Sequence, residues 1–189
     1  MTGPEPSWLP AWRTRPIGTP EALARFDGLP SPDVEEMRGR WRGATLPTGH
    51  PLDGLLEALG WYGKAVESPD RVHPLLFRRP SGEIMPLEPA LMPAGVALRA
   101  PGLARSRPGR MAFAALWPAL RARGPAAKLG LREVRGRRGT ALIYDRQPIV
   151  DHLRRAGEGL VIGMMERKGM ARPFFFLLER DTGTKEQAP

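Results

Sequence analysis

The sequence contains no cysteine. A disulfide framework, a thiolate nucleophile and a cysteine-ligated metal are therefore excluded, and the composition suits a reducing compartment. Long apolar runs are also missing. The longest, Gly159 to Met165 and Pro173 to Leu178, fall far short of the roughly 20 residues that a membrane-spanning helix needs. The opening Met1 to Pro10 has no apolar stretch of the kind a secretory signal requires, so a cytoplasmic protein is expected. Serine is sparse. Ser7, Ser31, Ser68, Ser81 and Ser106 each sit beside proline or arginine, without the strand-to-helix elbow of a catalytic serine. The remainder is ordinary for a globular protein: 41% hydrophobic residues over 189 positions, enough for one full core and short for two.

Lysine is scarce as well, at 4 of the 29 basic residues, the other 25 being arginine. The net charge of +9 is not spread evenly. Residues 99–138 hold 11 basic side chains and one acid, Glu133, while the rest of the chain is nearly balanced. This block lacks interleaved aromatics, since Phe113 and Trp117 stand four apart at its apolar centre as on a helix face. A solvated basic face is the first reading. An anionic head group or membrane surface is the partner it otherwise fits, and sequence-specific nucleic acid is not expected.

The periodicities favour strands. Met37, Gly39, Trp41 and Gly43 alternate with Arg38, Arg40 and Arg42, a half-buried strand with its arginines in water and Trp41 inside. The flanking glycines let another group approach the indole closely. Residues 1–20, rich in proline and glycine, read as an irregular arm carrying Trp8 and Trp12, followed by a short helix over 21–26. Leu52, Leu55, Leu56 and Leu59 predict an amphipathic helix ended by Gly60, and 111–123 looks helical despite Pro118. Residues 75–79 and 84–87 predict a hairpin around 80–83. The segments 129–134, 140–145, 149–155, 160–166 and 173–180 predict a meander, with turns at 136–139 and 156–159. About eight short strands with two or three short helices predict a mainly β fold, a single antiparallel barrel enclosing room for side chains or one small ligand. An open sheet with helices on one face is the alternative. The expected organisation is an arm over 1–20, one domain over 21–181 and a flexible tail over 182–189.

Chemical motifs are few. Gly63-Lys64 is followed by Ala65 and lacks the phosphate-loop spacing, and Gly157, Gly159 and Gly163 miss the dinucleotide fingerprint. No cofactor or metal is expected. His50, His73 and His152 have no short ligand spacing. Each reads as a hydrogen-bonded structural histidine or as a polar anchor or acid/base group in a pocket. Tyr144-Asp145 and Asp151-His152 form the densest polar cluster on apolar strands. One of Tyr144 and Asp145 must point inward, and a buried carboxylate there must be paired or protonated; it reads either as an inter-strand pair with His152 or an arginine or as a proton-transfer or head-group site at the end of a cavity. Of the adjacent Met164 and Met165, one faces in.

Gly39-Arg40-Trp41-Arg42-Gly43 is a GXWXG motif, followed by Leu46 to Glu57 and by Gly60-Trp61-Tyr62-Gly63-Lys64. Together these resemble the GXWXG domain family over residues 21–83. Ile143 to Ile149, Asp151-His152, Arg167 to Met170 and Pro173 to Phe176 are similar to the uncharacterised domain that commonly follows it, over 124–181. Leu153 and Val150 depart from that pattern, where an aromatic and a polar residue are usual. If Leu153 lines the cavity, the ligand differs from that of relatives. The resemblance implies a calycin-like barrel completed by both regions, and a lipid or other small hydrophobic ligand. The site residues expected on this reading are Trp41, Trp61, Phe174, Phe176 and Met164 or Met165 as walls, with His50, Tyr62, His73, Tyr144, Asp145 and His152 as polar anchors. A binding or carrier protein is the leading reading. The alternative is an acid/base enzyme, an isomerase, dehydratase or hydrolase of a hydrophobic molecule, using Tyr144, Asp145 and His152.

Overall fold

The computed structural model describes residues 4–79, 81–92 and 100–183. In chain order the elements are α1 (Leu9–Thr14), α2 (Thr19–Asp27), β1 (Gly39–Thr45), α3 (Leu55–Ala58), β2 (Trp61–Ser68), β3 (Arg71–Arg78), β4 (Ile84–Pro86), α4 (Pro101–Arg105), α5 (Arg107–Leu120), β5 (Ala127–Val134), β6 (Arg137–Tyr144), β7 (Ile149–Gly157), β8 (Leu160–Arg167) and β9 (Phe174–Arg180). The described helix within residues 4–20 corrects the expectation of an irregular arm there. The tail beyond 183 lies outside the described residues.

The strands form one antiparallel sheet of nine, ordered β2-β1-β9-β8-β7-β6-β5-β3-β4. A further pairing of β2 with β3 closes eight of them into a ring, with β4 as an appendage on β3. The open-sheet alternative is thereby excluded. The ring is not a regular barrel. The β3–β5 seam has one registered pair, Val72 with Ala127, helped by the Ala126 and Leu129 amides donating to Val72 and Pro69. β1 is hydrogen-bonded to β9 over Trp41–Thr45, so the first and last strands share one wall and neither half of the chain closes the ring alone.

Two apolar layers hold it. The interior gathers Trp41, Trp61, Phe77, Leu142, Leu153 and Phe176 with other buried residues. α5 joins this layer through Phe113, Trp117 and Leu120, and the leucines around α3 pack at its margin. Only one helical turn forms there, at Leu55–Ala58, shorter than the leucine spacing predicts, because Gly54 enters it in a left-handed conformation (φ 68°). The second layer lies outside the wall. Leu9, Trp12, Ala22 and Phe26 of α1 and α2 cover Ile162, Met164, Phe175 and Leu177, and the Trp12 indole donates to the Pro47 carbonyl at 3.1 Å. The β5–β6 turn is Arg135-Gly136, both at positive φ, two residues rather than the four expected.

Glycine here makes room inside the wall. A Cβ on Gly43 would stand 2.3 Å from the Trp61 ring, and one on Gly163 would stand 2.0 Å from the Phe176 ring. The group that approaches through the second glycine of the GXWXG motif, Gly43, is therefore Trp61 of the neighbouring strand, while the first, Gly39, faces the Arg180 guanidinium.

Candidate functional site

A strand alternates its faces, yet Trp61 and Lys64, three residues apart, both point into the ring. The register slips between Trp61 and Gly63 on β2, where Gly63 adopts φ 144°. The bulge turns the second half of β2 over, so that Lys64 lies opposite Trp41 and faces inward with it. A second slip on β3 surrounds Pro74, and the Pro74 carbonyl turns to the lysine.

Lys64 is the centre of a buried polar cluster. Its ammonium donates to Asp151 Oδ2 at 2.8 Å, to the Pro74 carbonyl at 3.1 Å and to the Tyr144 hydroxyl at 3.3 Å, which uses all three donors. Tyr144 donates to Asp151 Oδ2 at 3.2 Å. The side chains of Lys64 and Asp151 are 4% and 0% exposed, so neither charge is stabilised by bulk water. Phe176 lies 4.8 Å from the ammonium by its ring centroid, with Tyr144 and Trp61 at 5.7 and 5.9 Å. Burial, then the charge and hydrogen bond of Asp151, push the Tyr144 hydroxyl well above its ordinary pKa and hold it protonated. Asp151 Oδ1 is fully buried and has no hydrogen-bond partner among the described residues. The Lys64 donors and the Tyr144 proton are thus spent within the cluster, and the group left over inside the aromatic walls is one carboxylate oxygen, Asp151 Oδ1.

Trp61 separates this cluster from a cleft of about 580 Å³ at the ring's edge, where Gly60, Trp61 and Tyr62 meet Trp117 and Ala114 of α5. Arg42, Arg78, Arg79 and Arg110 rim it, against a single acid, Glu57. A smaller groove of about 400 Å³ lies between the start of β7 and the β8–β9 connection, lined by Val150, Glu166 and Arg172.

The expected site residues divide. Trp41, Trp61, Tyr144, Phe174 and Phe176 meet in the interior, with Met165 at its margin and Leu153 fully buried among them. Met164 instead faces the outer layer under α1 and α2. Asp145 is exposed beyond the end of β6, so the inward member of the Tyr144-Asp145 pair is Tyr144. His152 is on the outer face, 3.2 Å from Glu166, and burial lowers its pKa below the ordinary value. His73 pairs with Glu67 at 2.9 Å, outside the ring. His50 accepts from the Leu52 amide and packs against Phe174 at 5.6 Å; burial lowers its pKa too. The histidines thus do not converge with Tyr144. The buried carboxylate is Asp151 and its partner is a lysine, neither His152 nor an arginine. Lys64 was the missed residue, for period-2 reading from Trp61 turns it to solvent.

Tyr62 lies outside the ring and donates to Asp181, whose carboxylate also meets Arg40 at 2.9 Å and Arg42 at 3.0 Å. The Tyr62 hydrogen bond, with the Gly183 amide and both arginines, overcomes burial and lowers the Asp181 pKa from 3.8 to about 2. The folded state therefore favours the ionised form. Its stabilisation is complete above about pH 4 and is lost as pH falls towards about 2. Asp181→Asn is expected to flatten the loss of stability across that window, measured by urea midpoints. A slope equal to that of the wild type would contradict the assignment.

Residues 24–82 match the GXWXG protein family, and residues 125–180 match a domain of unknown function, DUF4334. A crystal structure of a protein from Thermomonospora curvata is similar over 87% of this chain and 88% of its own, with 30% identity and a TM-score of 0.65. The chain belongs to the GXWXG family. No curated protein matches it. The buried cluster of this GXWXG protein draws on both matched regions: Lys64 comes from the first, Tyr144 and Asp151 from the second.

Proposed function

We propose that this GXWXG protein binds and carries a small hydrophobic, lipid-like molecule inside a calycin-like container, with Lys64, Tyr144 and Asp151 as its polar anchor. The free, fully buried Oδ1 of Asp151 carries this reading. An unsatisfied buried acceptor costs on the order of 1–3 kcal/mol, more when charged, and a ligand hydroxyl or amine would relieve it. Aromatic walls with a few convergent polar groups suit such a ligand. Native mass spectrometry and solvent extraction of the purified protein test it. A retained apolar small molecule is expected, held more weakly by about 0.5–1.5 kcal/mol in Tyr144→Phe. A wild-type protein that carries nothing and takes up no apolar probe would overturn the proposal.

The same cluster supports an acid/base enzyme as the second reading, because a protonated phenol stands between an ammonium and a carboxylate. Time-dependent conversion of the extracted molecule by wild type, lost by about 10²–10⁴ in Tyr144→Phe with binding kept, would replace the carrier by the enzyme.

Contact with an anionic membrane surface is part of the carrier reading. α5 turns Met111 (74% exposed) and Leu116 (49%) to solvent, with Arg107 and Arg110 on the same helix and Arg121 and Arg123 just beyond it. No helix among the described residues is long and apolar enough to cross a membrane. Co-sedimentation with anionic vesicles, absent with neutral ones and reduced by Met111→Glu, is expected. Equal sedimentation with both vesicle types would remove the electrostatic part.

A further inference from the structure

The arginine-rimmed cleft is a site apart from the buried cluster, and its own chemistry selects a ligand class. We infer that it binds the anionic head group, phosphate or carboxylate, of a small amphiphile whose apolar part lies against Trp61 and Trp117. The inference deepens the carrier reading and rests on it.

Three observations converge. The first is charge: Arg42, Arg78, Arg79 and Arg110 come from β1, β3, the β3–β4 connection and α5, so the fold collects them from four places around one cleft of about 580 Å³. Arg42 and Arg79 have carboxylate partners, Asp181 and Glu83, each at 3.0 Å. Arg78 lies over the Tyr62 ring at 4.9 Å, and neither it nor Arg110 has an ion pair among the described residues. Guanidinium forks match the oxygens of a phosphate or carboxylate.

The second is an orphaned donor. Trp117 lines the cleft and is 3% exposed, and its indole Nε1 is buried without an acceptor among the described residues. Its ring packs against the cleft lining: Cζ2 lies 3.9 Å from where a Cβ on Gly60 would stand, and Gly60 also lines the cleft. A buried N–H without a partner calls for an acceptor. Arg78, Arg110 and the Trp117 indole, unpaired among the described residues, are all donors, which is the complement of an oxyanion, while the one acid of the lining, Glu57, accepts from the Thr45 amide.

The third is the apolar wall. Leu59, Trp61, Ala114 and Trp117 give the cleft a hydrophobic side beneath its charged rim. Trp61 is also the partition between the cleft and the aromatic interior, its ring edge-on to Phe176 at 6.0 Å. A head group held at the rim places the rest of an amphiphile on Trp61 and Trp117, which line the cleft and also belong to the interior layer.

Isothermal titration with octyl phosphate, octanoate, 1-octanol and inorganic phosphate tests the inference on the full-length wild type and on the exposed-rim double variant Arg78→Gln/Arg110→Gln. The two anionic amphiphiles should bind at least tenfold more tightly than octanol or inorganic phosphate, and the double variant should lose about tenfold or more for the anionic amphiphiles with octanol unchanged. A unique preference for octyl phosphate or for octanoate would identify which oxyanion the site takes. Octanol binding as tightly as the anions, with no effect of the arginine changes, would overturn the inference while leaving the carrier reading intact. Inorganic phosphate binding as tightly as octyl phosphate would reduce the cleft to a simple anion site and overturn the amphiphile. Binding of none of the probes would overturn the inference and count against the carrier reading with it.

Discussion

Lys64→Met should destabilise the protein by about 3–5 kcal/mol, the usual cost of leaving a buried charge without its partner. The substitution removes the ammonium that Asp151 Oδ2 accepts from at 2.8 Å and leaves a carboxylate with 0% side-chain exposure among aromatic rings. Only the weaker Tyr144 hydrogen bond at 3.2 Å remains to it. The double variant Lys64→Met/Asp151→Leu removes both charges and should recover most of the loss, since an apolar pair of similar volume avoids the desolvation cost of an ion pair. Urea denaturation of the wild type, both single variants and the double variant closes the cycle. A Lys64→Met protein within about 1 kcal/mol of wild type would show that the pair is not ionic in the folded state. Recovery in the double variant together with lost ligand retention would mean that the pair is kept for binding rather than for stability.

The second large effect is expected at Gly63, which forms the bulge that aims Lys64 inward. An added Cβ there would stand 1.9 Å from the Trp41 carbonyl oxygen and 2.8 Å from the Gly43 amide nitrogen, both backbone atoms of a paired strand. The residue also needs φ 144°, outside the range of ordinary side chains. Gly63→Ala therefore combines backbone strain with overpacking, on the order of 2–6 kcal/mol in all. Gly54→Ala is the control. It too has a positive φ, 68°, but an added Cβ meets nothing within 4 Å, so strain alone remains, about 1–3 kcal/mol. Equal losses at the two positions would refute the steric argument. If Gly63→Ala folds with its bulge straightened, Lys64 turns to solvent and ligand retention should fall as in Lys64→Met.

The notation of the motif hides a division of labour. Trp41 fills the interior and its indole donates to the Met37 carbonyl at 2.8 Å, while Gly43 yields its side-chain volume to Trp61. The strand's alternation, with Arg38, Arg40 and Arg42 exposed and Trp41 buried, was legible because a half-buried strand writes its two faces as a period of two. The inward turn of Tyr144 was narrowed to one of two residues by the same rule. The expected site was less legible. Met164 and His152 follow the alternation of their strands onto a face that the sequence could not label, because the covering helices α1 and α2 are far away in the chain.

The sequence by itself determined the class of the protein: an antiparallel β fold without disulfides, with a GXWXG strand, outward arginines and glycine-marked turns, since these depend on residue type and local spacing. The tertiary structure alone decided how the ring closes and what stands inside it. Strand order between residues more than 100 apart carries no local signal, so nothing in β1 announces β9. A bulge reverses the facing of every residue beyond it, and Gly63 turned Lys64 from a solvent position to the hub where Tyr144 and Asp151 meet it.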